Sequence, residues 1–119
     1  MQTFTKEQVQ EVIQEALVVA EQAAVDYFNT QLGGVDRFAC GFAWATVYDV
    51  KGSTKLGKML LANGFSKAYR GGLEYWMPAR SHRISFVQNV DTHLVGARAF
   101  AKVIKAKLGV DCYADSRLD

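Results

Sequence analysis

No run of about 18 apolar residues occurs in this 119-residue chain, so no stretch of it reads as a membrane-spanning helix. Cysteine is scarce. Cys40 and Cys112 both lie in apolar, strand-like contexts, which predicts buried free thiols in a reducing compartment. Their two strands are expected to be neighbours, so a bridge is geometrically conceivable, but free thiols are the expectation. The two histidines, His82 and His93, have no cysteine between them and a spacing that fits no zinc motif. His93 falls in the first turn of a predicted helix, where an imidazolium is disfavoured, so it reads as neutral and structural. The N-terminal stretch MQTFTKEQVQEV has neither a basic nor a strongly apolar segment, so no secretory signal is expected and the protein reads as cytoplasmic. No Ser/His/Asp or Cys/His order stands out, and the RNP string of RNA-recognition domains is missing.

What is present is the composition of a folded chain: half hydrophobic and 22% charged, of a length that predicts one domain over residues 1–119. The net charge of +2 hides an asymmetry. Residues 1–36 set Lys6 against Glu7, Glu11, Glu15, Glu21, Asp26 and Asp36, one positive against six negative, a net −5. Residues 51–83 set Lys51, Lys55, Lys58, Lys67, Arg70, Arg80 and Arg83 against Glu74, seven against one, a net +6. A basic middle segment points to an anionic partner.

The first element is a long helix. Thr5 is placed to cap it with Gln8 as the reciprocal residue, and Phe4 to staple onto Val9. Val9, Val12, Ile13, Ala16, Ala20, Ala23, Ala24, Tyr27 and Phe28 recur at helical spacing, and Gly33-Gly34 ends the run. Residues 39–50 switch to period two, with Cys40, Phe42, Trp44, Thr46, Tyr48 and Val50 on one side and Ala39, Gly41, Ala43, Ala45 and Val47 on the other. Neither side is polar, which predicts a central strand covered on both faces, the aromatic one by the first helix. Ser53 or Thr54 caps a short second helix closed by Gly64. Phe65–Arg70 and Leu73–Met77 flank Gly71-Gly72 as a hairpin, and the only proline, Pro78, stops it. Residues 79–90 read as a loop. Asp91 is placed to cap a third helix ended by Gly109, with Arg98, Lys102 and Lys105 on its outer side. Val110–Ser116 reads as the last strand. The order is a helix followed by βαββαβ. This predicts an α+β, ferredoxin-like antiparallel sheet with helices on one face and the extra N-terminal helix on the other.

Gly52-Ser-Thr-Lys-Leu-Gly57-Lys58 matches GxxxxGK, but Met59 stands where a P-loop needs a serine or threonine for magnesium. Leu56, Met59 and Leu60 also share one helix face, so a helix with an inward stripe is the reading. The free N–H groups at its start, with Lys51, Ser53, Thr54, Lys55 and Lys58, are still suited to a phosphate. Asp49, Asp111 and Asp115 fall near strand ends, which gives an alternative reading as a metal-dependent phosphodiester enzyme. A two-residue turn pairs Lys67 with Trp76 and Tyr69 with Glu74, placing Phe65, Lys67, Tyr69, Glu74 and Trp76 on one hairpin face. Rings interleaved with cations suit stacking on bases.

The blocks CGFAWATVYDVKGSTKLGK, GGLEYWMP and GARAFAKVIKAKLGVDCYADSRLD resemble a group of short proteins of tailed bacteriophages, over residues 39–119. The resemblance implies a phage-infected bacterial cytoplasm and transfers no catalytic residue. Members of that group read W-N-P where this chain has Trp76-Met77-Pro78, and their following loop is shorter and less basic. The reading is a non-catalytic binding protein without a cofactor. It takes nucleic acid or a nucleotide-like ligand through Lys51, Ser53, Thr54, Lys55, Lys58, Lys67, Tyr69, Arg70, Trp76, Arg80 and Arg83. A host protein is an alternative partner, as part of an oligomeric interaction module. A homo-oligomer is compatible with either reading, and no membrane contact is expected.

Overall fold

The computed structural model describes residues 3–119. It is an α+β fold of one four-stranded antiparallel sheet and three helices. In chain order the elements are α1 (Lys6–Gln31), β1 (Gly41–Val47), α2 (Lys55–Ala62), β2 (Ser66–Lys67), β3 (Leu73–Trp76), α3 (Val90–Leu108) and β4 (Cys112–Leu118). The sheet runs β2-β3-β1-β4, each neighbour antiparallel.

Capping chemistry sets the helix starts. The Thr5 hydroxyl accepts from Gln8 N at 3.1 Å, and the Gln8 side chain accepts from Thr5 N at 2.9 Å, a complete capping box. Thr54 caps α2, its hydroxyl accepting from Gly57 N. Asn89, two residues ahead of the expected Asp91, caps α3 by accepting from both Thr92 N and the Thr92 hydroxyl at 2.8 Å. Asn89 wins because it is itself held. Its amide donates to Arg37 O, and Asp36 accepts from the backbone N–H groups of Gln88 and Asn89. Gly33, Gly34 and Gly109 take the left-handed backbone that closes α1 and α3.

The odd residues of β1, Gly41, Ala43, Ala45 and Val47, are all buried, and α3 lies over them. A side chain on Gly41 would overlap the Arg117 carbonyl and Val90. Small residues are therefore what lets α3 sit this close. The core continues through Leu73, Phe65, Tyr75 and Phe100, the last three forming a ring cluster with centroids 5.0–6.0 Å apart.

Here α1 departs from expectation. It packs along α3 and touches α2, on the same side of the sheet as both, leaving the second sheet face bare. The reason lies in its stripe. Ala16, Ala20 and Ala24 are fully buried, and small residues bring two helix backbones together; they make a poor cover for tryptophans. At the crossing, Gly96 of α3 meets the Ala20 carbonyl and the Ala24 methyl.

The hairpin also differs. Its turn is longer than two residues, with Ala68 N donating to Gly72 O and Gly71 N to Ala68 O. The pairs are Ser66↔Glu74 and Lys67↔Leu73, an odd shift that flips the faces of β2. Phe65 is consequently buried, and Tyr69 and Arg70 project from the turn into solvent. Cys40 lies just before β1, exposed, its thiol 3.6 Å from the Gln88 side chain, which overturns its expected burial; Cys112 is buried. The two sit at opposite ends of β1, Cys112 against Val47 and Cys40 beside Asp119, so the strands adjoin but the thiols do not.

Candidate functional site

Alternation along three strands sends one set of side chains to the bare face. From β1 come Phe42, Trp44 and Thr46, from β3 Glu74 and Trp76, and from β4 Tyr113, Asp115 and Arg117. Trp44 and Trp76 are direct cross-strand partners, stacked 11° from parallel with ring centres 5.5 Å apart. Phe42 packs against Trp76 at 5.4 Å. The Arg117 guanidinium lies 5.5 Å from the Phe42 ring centre and 5.9 Å from that of Trp76. Three rings on the two central strands thus make an aromatic platform, its rings set against one another, with one cation over two of them. Trp76 remains 42% exposed, and the expected deep burial of Trp44 gives way to partial burial.

Polar groups surround the platform. Asp115 stands opposite Trp44, and Glu74 and Tyr113 stand on either side of Thr46. Beyond them Tyr48 and Tyr113 pair at 6.4 Å, and Lys105 donates to the Tyr113 hydroxyl at 2.8 Å. At the other side Trp76 joins Pro78, Arg80 and Ser81 in a cleft of about 510 Å³ against Leu17, Val18 and Glu21 of α1. Arg83 is tied there to Glu21 at 2.9 Å.

The basic segment does not form one surface. Lys51, Ser53, Thr54, Lys55 and Lys58 follow the C-terminal end of β1, and Lys67, Tyr69 and Arg70 sit at the same end of the sheet. Lys67 runs its stem over Gly52, which brings these two groups together. Trp76 ends β3, and Arg80 and Arg83 follow it, which antiparallel pairing directs toward the opposite end. Of the expected binding residues, only Trp76 is on the platform, with Arg80 beside it.

The turn before α2 is not built as a phosphate cradle. Thr54 directs both its N–H and its hydroxyl at the Lys51 carbonyl, and Gly57 packs against that same carbonyl. An inward carbonyl occupies the centre that a P-loop lines with N–H groups. The three aspartates separate as well. Asp49 accepts from Asp111 N at 2.9 Å, while Asp115 is on the platform. Among the described residues, no group of three His, Cys, Asp or Glu is placed to hold a metal ion.

Phe42, Trp44, Tyr113 and Arg117 were missing from the sequence-derived set. The rings did signal themselves through period two, but their exposure depended on where α1 lay. Arg117 carries no local signal, since only the β1–β4 register brings it over Phe42. No family model matches the chain, and no curated protein or solved structure matches it either.

Proposed function

We propose that the protein binds single-stranded nucleic acid on the bare sheet face, bases stacking on Phe42, Trp44 and Trp76. The observation that carries this reading is the three-ring platform on the central strands, with Arg117 resting on two of its rings. Every base has a π-face, and an aromatic or guanidinium plane offers it a partner whatever its sequence. Asp115 and Glu74 add acceptors beside the stack, suited to the exocyclic amines of bases. Arg80, in the same cleft as Trp76, suits a backbone phosphate, and the cluster from Lys51 to Arg70 would add attraction at the far end of the sheet.

The fold we infer is the ferredoxin-like split βαβ with α1 as an addition. The strand order β2-β3-β1-β4 and the two helical crossovers support it. Resemblance over residues 39–119 supports a phage-infected bacterial cytoplasm as the setting.

The test is fluorescence anisotropy with a labelled single-stranded oligonucleotide. Trp44→Ala and Trp76→Ala are each expected to lose about 1–3 kcal/mol of binding at unchanged circular dichroism. Log K should fall with log salt at about −0.7 per phosphate contact. Reversing Lys55 and Lys58 to Glu should weaken all sequences alike and leave the tryptophan quench intact. No binding at low salt, or binding indifferent to both tryptophans, would refute the proposal.

A further inference from the structure

The outer edge of β4 is the other large uncovered feature. Tyr48 N donates to Asp111 O, and Asp119 N donates to Cys40 O. The rungs shared with β1 therefore fall on odd residues, and antiparallel alternation turns the N–H and C=O of Cys112, Ala114, Ser116 and Leu118 outward. β4 is the last strand on that side. The Ser116 N–H is taken by the Asp115 carboxylate at 2.8 Å, which leaves the N–H groups of Cys112, Ala114 and Leu118 facing outward. No proline or bulge blunts the edge, since the register runs unbroken from Cys112 to Leu118.

Beside this edge lies a groove of about 540 Å³ between α3 and β4. Its walls include Ala99, Ala101 and Ala114, and its cations are Arg98, Lys102 and Lys105, spaced to share one helix face. Lys105 is steadied by Tyr113, its ammonium 4.3 Å from the ring centre. No carboxylate lines the groove, and among the described residues the one ion pair is Arg83–Glu21, elsewhere. A strand edge with free rungs beside three cations that form no ion pair is complementary to an extended, anionic polypeptide.

We propose that β4 accepts an extended acidic segment of another protein as a fifth strand. Its backbone pairs with the rungs around Ala114. Its carboxylates, at alternate positions, meet Arg98, Lys102 and Lys105. Period two along the added strand is what gives such recognition its specificity. A second copy fits poorly. Full antiparallel pairing of two β4 edges sets Asp115 against Asp115 and brings two basic stripes together.

The experiment titrates isotope-labelled protein with a synthetic peptide of alternating Glu and Val, and with its Lys/Val counterpart. The expected result is hydrogen-exchange protection at the Cys112 and Ala114 amides by the acidic peptide alone. Charge reversal by Arg98→Glu with Lys102→Glu should weaken it by about tenfold or more and favour the Lys/Val peptide. Ala114→Pro removes an outward N–H without breaking a rung to β1, and should abolish binding. If that variant does not fold, the charge-reversed one decides. Equal binding of both peptides, protection elsewhere, or an affinity unmoved by the substitutions would overturn the proposal. So would self-association through this edge, or protection of the same amides by an oligonucleotide.

Discussion

At Gly96, α3, α1 and the segment after β3 meet. A methyl there would overlap the Ala79 methyl, stand 3.0 Å from the Ala20 carbonyl oxygen and 3.3 Å from the Ala24 methyl. Two of these neighbours belong to α1 and none is a flexible side chain, so relief requires backbone movement. Gly96→Ala gains about 0.8–1 kcal/mol of helix propensity. Overpacking in a fixed core costs about 1–3 kcal/mol and occasionally more. With three rigid neighbours the upper part of that range applies, giving a net loss of about 1–2 kcal/mol. For a chain of this size that is a fall in Tm of roughly 4–8 °C. Urea and thermal melts followed by circular dichroism measure it, and Ala79→Gly in the same background should restore part of the loss through coupling of about 0.5–3 kcal/mol. A variant as stable as the parent would mean that α1 does not approach α3 through its alanine stripe. The bare sheet face would then lose its explanation.

His93 is 2% exposed, with Nε2 2.7 Å from the Val87 carbonyl and no partner for Nδ1 among the described residues. Burial holds its pKa below the ordinary value, so as pH falls below about 6.5 the unfolded chain binds a proton that the folded one refuses. Stability is full above that pH and falls by up to about 1.4 kcal/mol per unit below it; urea melts should show His93→Gln removing this slope, and parallel slopes would refute it. For the thiols, one should react in the native state, Cys40, while Cys112, pushed up to about 12 chiefly by burial, reacts only after unfolding. Oxidation should leave the monomer mass free of an internal bridge, because the two lie a β1 length apart, roughly 20 Å at about 3.3 Å per residue. Asp36→Ala should cost about 1–3 kcal/mol in chemical melts by stranding the part-buried Asn89 N–H group, and a neutral result would place α3 capping elsewhere.

Local chemistry made the elements legible. The Thr5 box, the period-two run around Trp44 and Gly109 each act within a few residues, and each stands where the pattern put it. The α+β class with a long N-terminal helix followed from them. The strand boundaries shifted by one to three residues, because Cys40 and Val110 have strand-like side chains but no full ladder partner. The layer occupied by α1 was not legible. Its alanines suit any close neighbour, and the choice between the sheet and α3 turns on Gly96, a glycine whose meaning appears only when α1 crosses it.

The candidate site was half legible for a related reason. Alternation told which rings share a face with Trp44, and composition told that cations abound between residues 51 and 83. Composition has no geometry, however, and antiparallel pairing sends the two halves of that segment to opposite ends of β3. The hairpin turn mattered as much: three residues of register separate Lys67 beside Trp76 from Lys67 opposite Leu73, and an odd shift changes the face. The cation that does reach the rings, Arg117, comes from the last strand, 75 residues after Phe42 in sequence (117 minus 42) and directly across from it in the sheet. Long-range pairing is the information a linear reading lacks, and here it replaces a basic hairpin with an aromatic face and a single arginine.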